Sequence, residues 1–419
     1  MSAKGTEAKV SLTEMQIRDL QRAFEKGSFS DLSDRLREAH SALENLRLDV
    51  AITGEPAVGK STFINAFRDV SADDDDAAPT GGSAATTTTA TTPEPRPYTH
   101  PKYADVRLWD LPSIGGPGFQ PRDYLQQVEF SRYDLFLVLS SGRFSALHGR
   151  LARLLQKAQA DVYFVRSRVD QDVEARRRRR EGPAGFSEAA ALKEIREACL
   201  QDLAAAGVKS PKVFLVSSLA FGRYDLPLLG ETLWRDLGLP RSHSFLLAAP
   251  NLSHRLLEKK RDVVGQQLWL VAVVACGQDP EPLPELSIAT DVGLLLQTLR
   301  GYCVHFGLEE SALRKAAAQA GLPFGQLRAV VKGPLAAEVS REDVVERLAE
   351  AASKAPKLPK PLLPVASQGR SFAAAYNMLK TFVDGATADA HHVLLRVFVS
   401  QKPQDDEALQ KHPEEESGA

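Results

Sequence analysis

The stretch of sequence around residue 54 constrains the fold of this chain more than any other feature. An alternating apolar run from Leu46 to Ile52 leads directly into the loop Gly54-Glu-Pro-Ala-Val-Gly-Lys60-Ser61, and a helical pattern begins at Thr62. A strand, a glycine-containing loop and a helix in this order indicate a phosphate-binding loop, because loop amides and the helix N-terminus point at bound phosphates. We expect Lys60 to reach the β- and γ-phosphates of a nucleoside triphosphate, and the Ser61 hydroxyl to bind Mg²⁺. The residues expected to contact the nucleotide here are Gly54, Glu55, Pro56, Ala57, Val58, Gly59, Lys60, Ser61 and Thr62.

The metal side of this site is predicted from Asp110, which ends the next predicted strand. A carboxylate at that strand end belongs close to the metal and helps to orient its ligands. In GTPases the motif usually reads Asp-x-x-Gly, and the glycine N–H contacts the γ-phosphate; here Ser113 replaces the glycine, and no Gln follows to orient the attacking water. The Thr-rich segment 80–92 offers Thr86 or Thr87 as a weak candidate Mg²⁺ ligand, although a flexible linker explains its composition nearly as well.

The base-recognition side is predicted from two later segments. Residues 166–170, Arg-Ser-Arg-Val-Asp, are similar to the Asn/Thr-Lys-x-Asp signature of GTPases. Asp170 would accept hydrogen bonds from the guanine N1–H and 2-amino groups, which adenine lacks. Arg168 replaces the usual Lys and can stack on the base with its planar side chain. Ser217 and Ser218, after the fifth predicted strand, fit a backbone contact to guanine O6.

Hydrophobic periodicity predicts an α/β domain with a mostly parallel sheet over residues 46–238. The segment 1–45 reads as two amphipathic helices, and 239–402 is rich in helical patterns without a convincing strand. We therefore expect an all-helical domain built from both ends of the chain, followed by a disordered acidic tail over 403–419. The predicted strands after the first are 106–110, 134–139, 161–165 and 212–216.

Composition and charge exclude several classes of protein. A formal net charge of -2 argues against a nucleic-acid-binding protein. Three cysteines without metal-ligand spacing favour reduced thiols, and the N-terminus has no apolar signal segment. The longest apolar run, 268–276, is too short for a membrane span, so we expect a cytoplasmic protein, at most peripheral on internal membranes. The acidic run 73–76 and the arginine run 176–180 are expected to be solvated, with lipid head groups as an alternative contact for the arginines.

Taken together, these motifs resemble those of the immunity-related GTPases, an interferon-inducible family of dynamin-like GTPases linked to innate immunity. The resemblance covers roughly residues 11–400 and is closest to the type C branch of the family. Besides the loop 54–61, it rests on Tyr-Thr-His-Pro at 98–101, Trp-Asp-Leu-Pro at 109–112, the segments 130–134 and 165–172, and the segments 214–219, 223–227, 299–302 and 305–308. It implies a Ras-like P-loop GTPase domain with a helical domain formed by both termini.

The resemblance also implies a function. Members bind GTP and GDP with Mg²⁺, self-associate through the GTPase domain, hydrolyse GTP slowly, and in many cases act on internal membranes. In this chain Ala57, Ser113 and Arg168 depart from the family pattern, which puts hydrolysis in question more than binding.

Two hypotheses remain open from the sequence. One is a slow GTPase in which Lys60, Ser61 and Asp110 handle phosphates and metal. The other is a catalytically weak pseudo-GTPase that acts as an interaction scaffold. A P-loop ATPase or kinase is disfavoured, because Asp170 and Ser218 fall where a guanine pocket needs them.

Overall fold

A computed structural model describes residues 47–80, 94–115, 119–179, 186–220, 223–238, 241–277, 281–354 and 369–400. The predicted N-terminal helices, Thr86 and Thr87, and the predicted acidic tail lie outside these ranges.

Six strands form one sheet in the order β2-β3-β1-β4-β5-β6. They are β1 Leu48–Gly54, β2 Arg96–His100, β3 Tyr103–Asp110, β4 Leu135–Ser140, β5 Asp161–Arg166 and β6 Val213–Leu215. All neighbouring pairs are parallel except β2 and β3, which are antiparallel. All seven residues of β1 are buried, as expected of a central strand covered on both faces. The Ras-like α/β fold predicted from the sequence is confirmed.

Strand β2 was not predicted from the sequence. This strand lies at the edge of the sheet and contains Pro97, which pairs in register with Trp109. Proline lacks an N–H donor and is tolerated in an edge strand, but it weakens any prediction of a strand from sequence.

In the described parts of residues 47–238, six α-helices pack around this sheet. They are α1 Lys60–Phe67, α2 Pro121–Gln127, α3 Ala146–Lys157, α4 Val169–Arg179, α5 Glu188–Ala205 and α6 Leu226–Asp236. On one face, α2 and α3 bury Tyr124 and Leu151 in a cluster with Phe136 of β4. On the other face, α1 and α6 enclose a second apolar cluster over β1 and β3.

The chain beyond residue 240 is mainly helical. Its helices are α7 Arg241–Ala248, α8 His254–Gly277, α9 Val292–His305, α10 Glu310–Ala320, α11 Phe324–Arg328, α12 Arg341–Ser353 and α13 Arg370–Ser400. The expectation that this region has no strands is wrong in one place, because β7 Glu281–Leu283 and β8 Ile288–Thr290 form an antiparallel hairpin. Strands of three residues are too short to show an alternating pattern. Within the described residues, no helix is long and apolar enough to span a membrane.

Helix α8 joins the two parts of the molecule. Leu256 and Val263 belong to the apolar cluster of the sheet, whereas Leu257, Val264 and Leu268 belong to a separate cluster among the helices. The predicted domain boundary near residue 238 stays a prediction. Helix α7 and the first turns of α8 come after this boundary in the chain, but they pack against the sheet.

The acidic run 73–76 is exposed, as expected, and its last residue is also held by an ion pair. Asp76 accepts a hydrogen bond at 2.5 Å from the guanidinium of Arg68, a side chain that is 2% exposed. Arg68 also donates to the carbonyl oxygens of Asp76 and Thr99. A buried guanidinium requires such partners, so the segment after α1 is attached to the sheet.

Candidate functional site

The predicted phosphate loop connects the carboxyl end of β1 to α1. Gly54 ends β1 with φ 156°, and a Cβ atom there would lie 2.3 Å from the carbonyl oxygen of Leu139 on β4. Only glycine fits so close to a neighbouring strand. Gly59, with φ 93°, precedes α1 in the left-handed region, where residues with a Cβ are disfavoured. Between them Pro56 and Ala57 are exposed and Val58 is buried.

Lys60 lies beneath this loop and is only 8% exposed. Its Nζ donates to Ser113 Oγ at 2.8 Å, to the Glu55 carbonyl oxygen at 3.3 Å and to the Gly54 carbonyl oxygen at 3.5 Å. Burial lowers the pKa of Lys60, and the nearby carboxylate of Asp110 acts in the opposite direction. The ammonium group is therefore placed where it can meet an anion bound in the loop.

Ser61 and Asp110 come together from separate elements. The Ser61 hydroxyl, in the first turn of α1, donates to Asp110 Oδ2 at 3.1 Å, and Asp110 is 2% exposed at the end of β3. One hydroxyl and one carboxylate match the hard oxygen donors that Mg²⁺ prefers when it is also held by substrate phosphates. No group of three or more His, Cys, Asp or Glu residues in the described ranges could hold a metal by itself. The donor set therefore fits a Mg²⁺ ion that arrives with a nucleotide.

The segment after Asp110 is held against β1 by contacts that the sequence analysis missed. The Tyr124 hydroxyl lies 2.6 Å from Thr53 Oγ1 and donates to the Pro112 carbonyl oxygen at 2.9 Å. The Ile114 N–H donates to the Gly54 carbonyl oxygen at 3.0 Å. Burial raises the pKa of Tyr124, so the phenol stays protonated and able to donate. A tyrosine on an amphipathic helix carries no sequence signal for this role.

The predicted base-recognition loop contacts the phosphate loop directly. Ser167 is buried, and its hydroxyl donates to the Val58 carbonyl oxygen at 2.7 Å. Arg168 has φ 57° and donates from Nη2 to the Ala57 carbonyl oxygen at 2.5 Å. These two contacts connect the carboxyl end of β5 to the loop that follows β1.

Asp170 lies in the first turn of α4 and is partly buried. Its carboxylate forms no hydrogen bond or ion pair with another residue in the described ranges, so it can accept from a ligand. The neighbouring Asp172 instead pairs with Arg166 at 2.5 Å, which anchors the start of α4.

The loop after β6 lies beside this segment. The Val169 N–H donates to the Val216 carbonyl oxygen at 3.3 Å, and the Val216 N–H donates to the Arg166 carbonyl oxygen at 2.8 Å. Ser217 is 1% exposed, and its hydroxyl accepts from the Ala220 N–H at 3.2 Å. Ser218 is partly exposed. The hydroxyl of Ser217 thus stabilises the loop after β6, and Ser218 lies at the surface of this loop.

The chain has relatives of known family over most of its length. The profile of the family described as Interferon-inducible GTPase (IIGP) matches residues 13–397. The chain is 39% identical to Interferon-inducible GTPase 5 of Rattus norvegicus over 411 residues, which cover 96% of this chain and 87% of that protein. It is 30% identical to Interferon-gamma-inducible GTPase 10 of Mus musculus over 392 residues, which cover 93% of this chain and 91% of that protein.

Among solved structures, a GTP-binding protein from the hyperthermophilic archaeon Sulfolobus solfataricus in complex with GDP matches with a TM-score of 0.26 and 14% identity, over 53% of this chain and 64% of that chain. That similarity is too low to carry an argument. The sequence relatives and the family profile, which together span almost the whole chain, show that the chain belongs to the interferon-inducible GTPase family.

Proposed function

We propose that this GTPase binds GTP and GDP with Mg²⁺ at the carboxyl ends of β1, β3, β5 and β6, and hydrolyses GTP slowly. The observation that carries the proposal is the convergence of Lys60, Ser61 and Asp110 beneath the phosphate loop. The contacts from Ser167 and Arg168 to the same loop support a single continuous nucleotide site.

On the phosphate side, we assign the backbone of residues 54–61 to the phosphates. Pro56 has no N–H, so the loop offers one donor fewer than an ordinary sequence would. Lys60 would neutralise charge between the β- and γ-phosphates, and Thr62 would add the N–H of the first helical turn. When bound, Mg²⁺ neutralises the charge that develops on these phosphates. Ser61 would hold the metal, and Asp110 would orient the Ser61 hydroxyl by accepting its hydrogen bond.

On the base side, we assign guanine recognition to Asp170. Its carboxylate would accept two hydrogen bonds from guanine, and adenine would leave it unpaired at a large energetic cost. Arg168 contacts the Ala57 carbonyl oxygen across the site, which supports its assignment beside the base. Ser217 and Ser218 would present the loop backbone to guanine O6.

Slow hydrolysis is proposed because two groups differ from those of efficient GTPases. Ser113 stands in place of the glycine whose N–H contacts the γ-phosphate, and residue 114 is Ile, which cannot orient a water molecule. The Ile114 side chain is fully buried in the cluster under α2. Without a side chain at residue 114 to position water, the chemical step lacks that contribution.

We further propose that the nucleotide state controls self-association or membrane contact. Leu219 is 71% exposed immediately after the base-side serines, which supports self-association through this face. Leu395 and Val399 are each 53% exposed near the end of α13, which supports a peripheral apolar contact there. Sedimentation with GDP and with a non-hydrolysable GTP analogue tests the first idea. A Leu219→Ser variant that still assembles normally with the analogue would contradict it.

Base specificity is tested by exchanging the hydrogen-bond pattern of residue 170. Asp170→Asn should lower GDP affinity by roughly a hundredfold, because the charged acceptor is lost and the amide N–H group faces the guanine 2-amino group, which is also a donor. The same variant should gain affinity for xanthosine diphosphate, because the amide can donate to the xanthine 2-oxygen and accept from N1–H. Asp161→Asn, at the other end of β5, is the matched control and should leave GDP binding unchanged. Equal affinity of the unmodified chain for ADP and GDP would overturn the guanine assignment.

Hydrolysis is tested separately by measuring phosphate release from GTP with Mg²⁺. We expect slow turnover in the unmodified chain and none in Lys60→Ala. Guanine-selective binding without Lys60-dependent turnover would instead leave a nucleotide-binding scaffold.

A further inference from the structure

Ser113 is the nearest partner of the buried lysine in the candidate nucleotide site. Its Oγ accepts from Lys60 Nζ at 2.8 Å, whereas the two loop carbonyl oxygens that Lys60 also contacts lie at 3.3 and 3.5 Å. The residue occupies the motif position that is usually glycine. A glycine at this position would offer only its backbone N–H as a donor, whereas Ser113 offers a hydroxyl group as well.

The backbone around Ser113 is held on both sides. The carbonyl oxygen of Pro112 accepts from the Tyr124 hydroxyl, and the Ile114 N–H donates to the Gly54 carbonyl oxygen. Two residues earlier, the Leu111 N–H donates to the Ile52 carbonyl oxygen at 3.0 Å. With its neighbours fixed to β1 and α2, Ser113 can change partners by rotating its side chain or hydroxyl without moving the main chain.

We propose that the Ser113 hydroxyl is the group that distinguishes GTP from GDP in this chain, by donating to the γ-phosphate. The inference rests on the proposed function, because it requires GTP in this site. The Ser113 oxygen already accepts from Lys60, so its own proton is available to a phosphate oxygen. Two donors 2.8 Å apart can both reach one anionic oxygen, and Lys60 is the residue assigned to the β- and γ-phosphates. With GDP bound, no γ-phosphate oxygen is present, and the Ser113 hydroxyl keeps its hydrogen bond with Lys60.

A simpler role for Ser113 makes different predictions. If the hydroxyl only satisfied Lys60 in the nucleotide-free chain, its removal would change the affinities for GDP and GTP by the same factor. If it discriminates between nucleotides, its removal must change one affinity and spare the other.

The test compares Ser113→Ala and Ser113→Thr with the unmodified chain, using fluorescence titration with GDP and with a non-hydrolysable GTP analogue at constant Mg²⁺. Ser113→Ala should weaken binding of the analogue about tenfold, as expected for one hydrogen bond to a charged oxygen, and should leave GDP affinity within about twofold. Ser113→Thr keeps the hydroxyl and should retain the preference. Ser131→Ala, at an exposed serine between α2 and β4, is the matched control and should behave like the unmodified chain.

The outcomes separate the inference from the proposed function. An unchanged ratio of the two affinities in Ser113→Ala would overturn the inference, whether both affinities are retained or both fall together. Normal GDP affinity in that variant would at the same time show that the site is folded and binds guanine nucleotides. Failure of the unmodified chain to bind either nucleotide would overturn the proposed function and this inference with it.

Discussion

A single methyl group at residue 54 would collide with the neighbouring strand. Gly54→Ala would place a Cβ atom 2.3 Å from the Leu139 carbonyl oxygen, and backbone of a central strand cannot move aside cheaply. We expect a loss of about 1–3 kcal/mol in the free energy of unfolding and at least a tenfold loss of GDP affinity. Chemical unfolding and nucleotide titration measure both effects.

The matched control for this prediction is Gly265→Ala. Gly265 lies within α8, and a Cβ atom there would meet nothing within 4 Å. Alanine favours helix over glycine, so this variant should be as stable as the unmodified chain or slightly more so. Equal unfolding free energies for the Gly54 and Gly265 variants would contradict the steric argument.

His148 makes the stability of the sheet dependent on pH. It is fully buried near the start of α3, where Nδ1 accepts from the Ser145 N–H at 3.1 Å, and burial lowers its pKa from 6.5 to about 4. Below pH 6.5 the unfolded chain binds a proton that the folded chain refuses until about pH 4, so stability is lost as the pH falls through this window. The contribution of His148 to this loss should be about 2 kcal/mol between pH 7.5 and pH 5.

The contribution of His148 is isolated by comparison with His148→Asn, in which the amide oxygen can replace Nδ1 as the acceptor. Urea unfolding at the two pH values should show a smaller acid-induced loss in the variant. Other buried histidines, such as His100, titrate equally in both proteins and cancel. Identical pH dependence in the two proteins would mean that His148 is not the source.

At the scale of elements, α2 stabilises the side of the sheet that holds the candidate site through one hydroxyl group. Tyr124→Phe removes the bond to the Pro112 carbonyl oxygen and leaves the buried Thr53 hydroxyl without its partner. We expect a loss of about 1–2 kcal/mol in unfolding free energy and faster amide exchange at Ile114, whose N–H depends on the same segment.

Tyr133→Phe is the matched control for Tyr124→Phe. Tyr133 belongs to the same apolar cluster, but its buried hydroxyl has no hydrogen-bond partner among the residues that the structure describes. Removing that hydroxyl should be neutral or stabilising. A loss of stability as large as that of Tyr124→Phe would show that the ring environment, and not the hydroxyl, is responsible.

The elements differ in how well sequence predicted them. Strand β1 and helix α1 follow from periodicity, because their apolar positions repeat at the spacing of the element they form. Strand β2 and the hairpin β7–β8 were missed, because each is short and contains proline. Tyr124 was missed for another reason: its partners lie 71 and 12 positions away, and no local pattern connects them.

At the scale of the whole molecule, Lys260 stabilises the junction between the sheet and the later helices. It lies in α8, is 2% exposed, and donates to the Ala249 and His305 carbonyl oxygens and to Asn251 Oδ1. Three acceptors match the three N–H donors of an ammonium group. Lys260→Met would bury these acceptors unpaired, and we expect a loss of about 1–3 kcal/mol in unfolding free energy.

Lys259→Met, one residue earlier on the same helix, provides the control. Its ammonium is partly exposed and pairs with Asp262 at 3.6 Å, an interaction that water screens. Urea unfolding should show a change within about 0.5 kcal/mol for this variant. A similar loss for both lysines would indicate that the alkyl chain and not the buried donor matters.

The same junction also connects strand β3 to the helices. Strand β3 ends at Asp110 in the site, and at its other end the Tyr103 hydroxyl lies 2.6 Å from His305 Nδ1 of α9. The two rings also stack, with centroids 5.6 Å apart. One continuous strand thus contacts both the candidate metal side and the helical part of the molecule.

The amino-acid sequence by itself determined the order of strand, loop and helix around residue 54, the main strands of the sheet and the family, because these depend on residues close together in the chain. It also located Lys60, Ser61, Asp110 and Asp170, whose roles stay proposals. Only the tertiary structure showed that Ser113 accepts a hydrogen bond from Lys60, a residue 53 positions away. It alone also showed that α7 and the start of α8 pack on the sheet. Contacts of this kind depend on how strands are ordered and how helices cross them. No local periodicity encodes that order, so the packed structure is needed to see which hydroxyl group faces the phosphate loop.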